Sequence, residues 1–203
     1  FDTESSDRAF EEEVMLSGFG NASVKPEGQG VSYDDAQETF TARYTNETIA
    51  LAFAITEEAI EDNLYDRLAS RYTKALARSM SNAKQVKAVE PLINGFGGGF
   101  TSGDGANLFS TSHSTVSGSF QNTLTTQADL NETSLEQSLI DIGQMTDERG
   151  LRVAARGVKM VIPSKLQFTA ERLMKSQGRT GTADNDINAI VSMGMVPQGY
   201  RVN

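Results

Sequence analysis

The sequence contains no cysteine and no tryptophan, one histidine, and four prolines among 203 residues. Without cysteine there is no disulfide framework, no thiolate zinc site and no cysteine nucleophile. A single imidazole, His113, leaves little room for a histidine-rich metal centre. Positive charge is also scarce: 18 Lys and Arg stand against 27 Asp and Glu, giving a net charge of −9 and a pI near 4.7. That balance opposes general nucleic-acid binding, which needs a basic footprint, although a local basic patch is compatible with it. No apolar run approaches the roughly 20 residues that span a bilayer. The chain starts at Phe1 with no basic-then-apolar leader, so we expect a processed or trimmed chain, or part of a longer one.

What is present is 38% hydrophobic residues, enough to bury a core in one or two domains. The dominant signal runs from Thr56 to Glu90. Ile60, Leu64, Leu68, Tyr72, Leu76 and Met80 recur at helical spacing, and at 100° per residue they fall in one arc. Thr56 is the expected N-cap, Glu57, Glu58, Glu61 and Asp62 sit at the positive end of the dipole, and Pro91 is expected to close the helix at Glu90. Such a helix would be about 50 Å long, more than a small domain buries on one element, and we read it as a strut.

Before the strut, residues 1–18 read as an arm with a short helix over Arg8 to Leu16. Gly18 to Gln37 is turn chemistry, and from Glu38 to Ile55 apolar residues alternate with polar ones. We therefore expect a long hairpin, with a first strand near Phe19 to Lys25, an acidic tip over Pro26 to Asp35, and a return strand into the helix. An isolated hairpin is marginal in water, so it should lie on a partner surface. After the strut come a glycine-rich segment, Asn94 to Gly105, and a Ser/Thr-rich stretch to residue 128, long enough to suggest a functional loop.

From Asn131 the texture becomes that of a small α/β unit. Thr133 with Glu136 and Ser134 with Gln137 fit capping boxes for a helix to about Glu148. Two short strands, Leu151 to Ala155 and Val158 to Ile162, are expected to turn at Arg156 and Gly157. A helix follows from Ser164 to Lys175, then a short one over Ile187 to Met193 and a strand at Tyr200 to Val202. The chain stops inside that strand, and we expect further C-terminal sequence.

Four constellations invite a chemical reading. Gly95 to Gly105 lacks the Lys-Ser/Thr of a phosphate loop and follows a helix, so it reads as a flexible loop. Ser110, Ser112 and His113 lack the third group and oxyanion site of a triad, and read as a polar loop, with a hydrolase using Ser112 and His113 as the minor alternative. Asp184, Asp186 and Asn188 open like a calcium loop, but Ala189 and Met195 stand where glycine and an acid are needed, so helix capping is the better reading. The fourth is a basic row, Arg67, Arg71, Lys74 and Arg78, on one side of the strut. A solvated face is the usual fate of such charges. Contact with acid is the functional reading, and Asp34, Asp35 and Glu38 on the arm of a neighbouring subunit are the candidate source.

Taken together the pieces resemble a known family. Val24-Lys25-Pro26-Glu27-Gly28, Tyr33-Asp34, Phe40-Thr41-Ala42-Arg43-Tyr44 and the long helix, then Gly103-Asp104-Gly105, Leu108 to His113, Asp147-Glu148-Arg149-Gly150-Leu151 and Gly181 to Asn188, resemble the major capsid protein of tailed bacteriophages, in particular the Mu-like head subunit group. The resemblance implies an α+β subunit of the Hong Kong ninety-seven type. It implies an N-terminal arm (1–18), an extended hairpin loop (19–55), a peripheral domain (56–128) with the spine helix (56–90), and an axial domain (129–203) that is incomplete at its C-terminal end. It also implies hexamers and pentamers closing into an icosahedral shell around double-stranded DNA that is not bound by sequence. Portal, scaffold or decoration proteins would be partners, with assembly in the host bacterial cytoplasm. No enzymatic activity, cofactor, metal or membrane is implied. A cellular nanocompartment shell of the same fold is the alternative.

Overall fold

The computed structural model describes residues 3–62, 66–179 and 186–202, with the backbone alone for residues 66–68. The chain divides into two units, Phe1–Met15 with Phe40–Leu108, and Leu16–Thr39 with Phe109–Asn203.

Strands β1 (Phe10–Ser17) and β2 (Gln37–Thr45) form a two-stranded sheet. The Asn46 amide donates to the Ala9 carbonyl at one end (3.0 Å) and the Gln37 amide to Ser17 Oγ at the other (3.1 Å), so the strands run antiparallel. The helix expected over Arg8 to Leu16 is therefore a strand. Glu11, Glu12 and Glu13 favour helix locally, but cross-strand partners decide the outcome. Arg43 pairs with Glu12 (2.7 Å from Nε) and lies 4.4 Å above the Phe10 ring. The expected strand at Phe19 to Lys25 is absent, and the return strand stops at Thr45, short of Ile55. A backbone needs a ladder partner, and β1 offers none beyond Ala9.

The strut comes as α1 (Glu57–Glu61) and α2 (Asp66–Asn94). Thr56 precedes α1 in extended conformation, but its side chain makes no capping bond. Asp62 has left the helix (ψ 2°), so the single helix expected from Thr56 is interrupted there; Asn63, Leu64 and Tyr65 lie outside the described residues. Glu61 and Asp62 place negative charge at the end of α1 where the dipole disfavours it, and Glu57, Glu58, Glu61 and Asp62 repel at i, i+3 and i+4. At the far end α2 runs through Pro91 to Asn94, because a proline in the last turn removes one amide and leaves the others paired. Lys87 braces that turn, with Nζ 3.3 Å from Glu90 and 3.1 Å from Glu47.

In the second unit β3 (His113–Thr115) and β4 (Gly118–Phe120) make a short antiparallel pair. Helix α3 (Glu132–Gly143) is capped by Asn131, in a reciprocal box with Ser134, two and three residues before the Thr133 and Ser134 caps read from sequence, and it ends at Gly143, short of the expected Glu148. Residues 151–158 form no strand pair. Instead β5 (Met160–Ile162) pairs in parallel with β6 (Tyr200–Val202), Met160 facing Tyr200 and Ile162 facing Val202. Gly157 lies so close to α3 that a Cβ there would stand 2.7 Å from a Leu139 methyl, which keeps this segment on the helix. A 3₁₀ turn (Ser164–Leu166), α4 (Gln167–Lys175) and α5 (Ala189–Ser192) complete the unit. Its core joins Leu135 and Leu139 of α3 to Ile190 and Val196, with Met160, Met174 and Met195 packed against them.

The first unit is different. Among its described residues no side chain is buried, and Gly95 is its sole buried residue. Phe53 and Tyr72 pack ring to ring at 6.1 Å yet remain 42% and 51% exposed.

Candidate interaction surface

Helix α2 is a basic element in an acidic protein. Residues 66–94 hold six basic and two acidic residues, whereas residues 1–65 hold fifteen acidic and three basic. Arg71, Lys74 and Arg78 lie within about 60° of arc on the helix and are exposed. None has an ion-pair partner among the described residues; the Arg67 side chain lies outside them. Lys87, also on α2, sets the contrast. Its hydrogen bonds to Glu47 and then Glu90 raise its pKa above the usual 10.5. An exposed row with no ion pair among the described residues can meet an incoming carboxylate with little rearrangement.

The acidic trio, Asp34, Asp35 and Glu38, lies in the second unit, with Glu38 on strand β2, and all three are exposed. Asp34 is already engaged within its own loop. Its Oδ2 accepts from the Gly20 amide at 2.6 Å, Oδ1 accepts from the Asp35 amide at 3.0 Å, and Arg149 stands 3.9 Å away. The Gly20 N–H is the main cause of a pKa below the usual 3.8, helped by Arg149 and opposed by desolvation. The carboxylates of Asp35 and Glu38 make no ion pair among the described residues. Sequence reasoning missed Arg149. Asp147 with Gly150 three residues on marks the turn that carries it, but nothing local says that its side chain reaches residues 18 and 35.

The other constellations resolve into structural roles. In the glycine-rich segment Asp104 accepts from the Ala106 amide and the Ser102 hydroxyl, and Gly105 adopts a left-handed φ of 80°. These groups are satisfied by one another and form no phosphate cradle. His113 is buried at the start of β3, 6.2 Å from the Phe120 ring, while the Ser110 hydroxyl donates to the Ser112 carbonyl. Asn188 caps α5, accepting from the amides of Ile190 and Val191, as the capping reading required; Asp184 lies outside the described residues.

Comparison with known proteins adds the context. A profile described as "Phage capsid protein" matches residues 38–202. The fold is similar to a chain in the capsid of bacteriophage JBD30 decorated with minor capsid protein trimers, with a TM-score of 0.70, 14% identity, and coverage of 98% of this chain and 86% of that one. A second JBD30 capsid structure matches with a TM-score of 0.67, 13% identity and the same coverage. No curated protein sequence matches.

Proposed function

Since this chain belongs to the phage capsid protein family, a structural protein and not an enzyme, we propose that it is the major head subunit of a tailed phage of the Mu-like group. In this reading it assembles into hexamers and pentamers of a shell of the Hong Kong ninety-seven type, around double-stranded DNA. The observation that carries the proposal is the first unit's lack of any buried side chain among its described residues. A helix of 29 residues with no interior of its own needs other surfaces to cover it.

Exposed area supports the same conclusion. The chain exposes 15918 Å², whereas a compact monomer of this mass exposes about 9,300 Å² and two separate compact bodies of half the mass about 11,000 Å². The excess includes Leu16, Phe19, Tyr33, Leu51, Ile93 and Phe168, large apolar side chains that association would remove from water.

The division of labour we infer is an arm over 1–18, an extended loop over 19–55, a peripheral domain over 56–128 carrying the spine, and an axial domain over 129–203. Asp34, Asp35 and Glu38 of one copy meet Arg67, Arg71, Lys74 and Arg78 of the next, and the charge asymmetry between residues 1–65 and α2 supports that pairing. Portal and scaffold proteins, and decoration proteins on the shell surface, complete the head, which forms in the host cytoplasm. Electron microscopy of the purified protein tests the proposal: closed, faceted shells are expected, and a discrete monomer under all conditions would overturn it.

A further inference from the structure

The motif Asp147-Glu148-Arg149-Gly150-Leu151 builds a defined turn. Asp147 Oδ1 accepts from the amides of Arg149 (3.0 Å) and Leu151 (2.7 Å). Its carbonyl accepts from the Gly150 amide, and Gly150 holds a left-handed φ of 82° that other residues adopt only with strain. The Glu148 carbonyl accepts from the Ser117 amide at 3.2 Å, which ties the turn to the β3–β4 hairpin. The Arg149 backbone is thus fixed from both sides.

From that fixed point the Arg149 side chain, 15% exposed, reaches both limbs of the loop between β1 and β2. Nε donates to the Gly18 carbonyl at 3.1 Å, and a terminal nitrogen donates to the Asp35 carbonyl at 2.5 Å. Two further links cross the same neck, Gln37 amide to the buried Ser17 hydroxyl and Gly20 amide to Asp34. Past the neck the limbs part around an opening of about 630 Å³ lined by Phe19, Lys25, Pro26 and Val31, and the exposed Ser23 and Ser32 hydroxyls pair across it at 3.2 Å.

We propose that Arg149 is the positioning residue of this loop, setting the direction in which residues 21–33 leave the neck and so where they meet a neighbouring copy. The inference rests on the self-assembly reading above. A guanidinium is planar, always charged and donates along fixed directions, so it satisfies both limbs at one separation of the neck only. An ammonium is a single point with no fork, and cannot hold both carbonyls in that geometry.

Amide hydrogen exchange on wild type, Arg149→Lys, Arg149→Ala and Asp34→Ala tests this, read beside particle formation by light scattering. In Arg149→Ala, exchange at residues 18–20 and 34–37 should rise about tenfold, the loss of roughly one hydrogen bond's stabilisation. Amides of α3 and α5 should be unchanged. Arg149→Lys should restore little of the protection, Asp34→Ala should loosen residues 19–21 and the Asp35 amide alone, and particle yield should fall in step with neck protection. Unaltered exchange at the neck, or equal loosening through the whole second unit, would overturn the proposal. So would a loosened neck with wild-type particle yield. If the wild-type chain forms no particles at all, the assembly reading fails, while the exchange data still decide whether Arg149 fixes the loop.

Discussion

Asn188 joins two helices with one amide group. Its Oδ1 accepts from the first amides of α5, its Nδ2 donates to the Leu173 carbonyl of α4 at 2.7 Å, and the residue is 2% exposed. Asn188→Ala should destabilise the second unit by about 2 kcal/mol, since it removes a cap and strands a buried carbonyl; chemical denaturation would measure this, and a change within error would deny the cap its role. Asp34 gives a pH prediction. Its folded pKa lies below its ordinary value, so its contribution is fully present above pH 3.8 and is lost as pH falls through the lower folded value. Gly20 amide protection should therefore hold unchanged from pH 7 to pH 5 and fail only in stronger acid. At this scale the sequence was partly legible. The capping role of Asn188 could be read because its partners lie two and three residues away, whereas Arg149 bonds residues 131 and 114 positions distant.

Elements were legible in proportion to how local their causes are. Helix α4 and strand β6 lie close to where periodicity put them, and α3 starts there but ends at Gly143, short of the expected Glu148. Strand β1 was misread because its glutamates favour helix until Arg43 arrives from the other strand, and β5 was read as a strand but given the wrong partner because β6 follows 40 residues later. The basic row on α2 could be found from spacing alone, since exposed charges obey the helix period without help from packing. If it meets acids of a neighbour, Arg71→Glu with Lys74→Glu should raise the concentration needed for assembly about tenfold, as two exposed pairs are worth roughly 1.4 kcal/mol together. Salt gives the sharper reading. It should weaken wild-type assembly by screening attraction, and should help the double variant by screening repulsion. Equal salt dependence in both proteins would remove the charge contact from the account. Lys87 should be indifferent to all this below pH 10.5, where its bonds to Glu47 and Glu90 keep it charged; that bracing is lost as pH rises through its raised folded pKa.

For the whole molecule the two units divide the work unequally. The second has a core of α3, α4, α5 and the β5–β6 pair, while the first presents α2 without a buried side chain among its described residues. Hydrogen exchange at low protein concentration should find residues 69–94 poorly protected beside α3, and protection of α2 should grow as particles form. Strong protection of α2 in the isolated subunit would contradict this. An apolar-surface dye should likewise bind the dispersed chain and be released on assembly.

The lack of a buried side chain among the first unit's described residues also bears on the order of events in the cell. Most of that unit, Phe40–Leu108, leaves the ribosome before the residues that build α3, α4 and α5. A nascent domain ordinarily settles as it emerges, but the described residues of this one bury no side chain to settle around. The earlier-made half must therefore wait for other copies to arrive, so its order comes with assembly and not with synthesis.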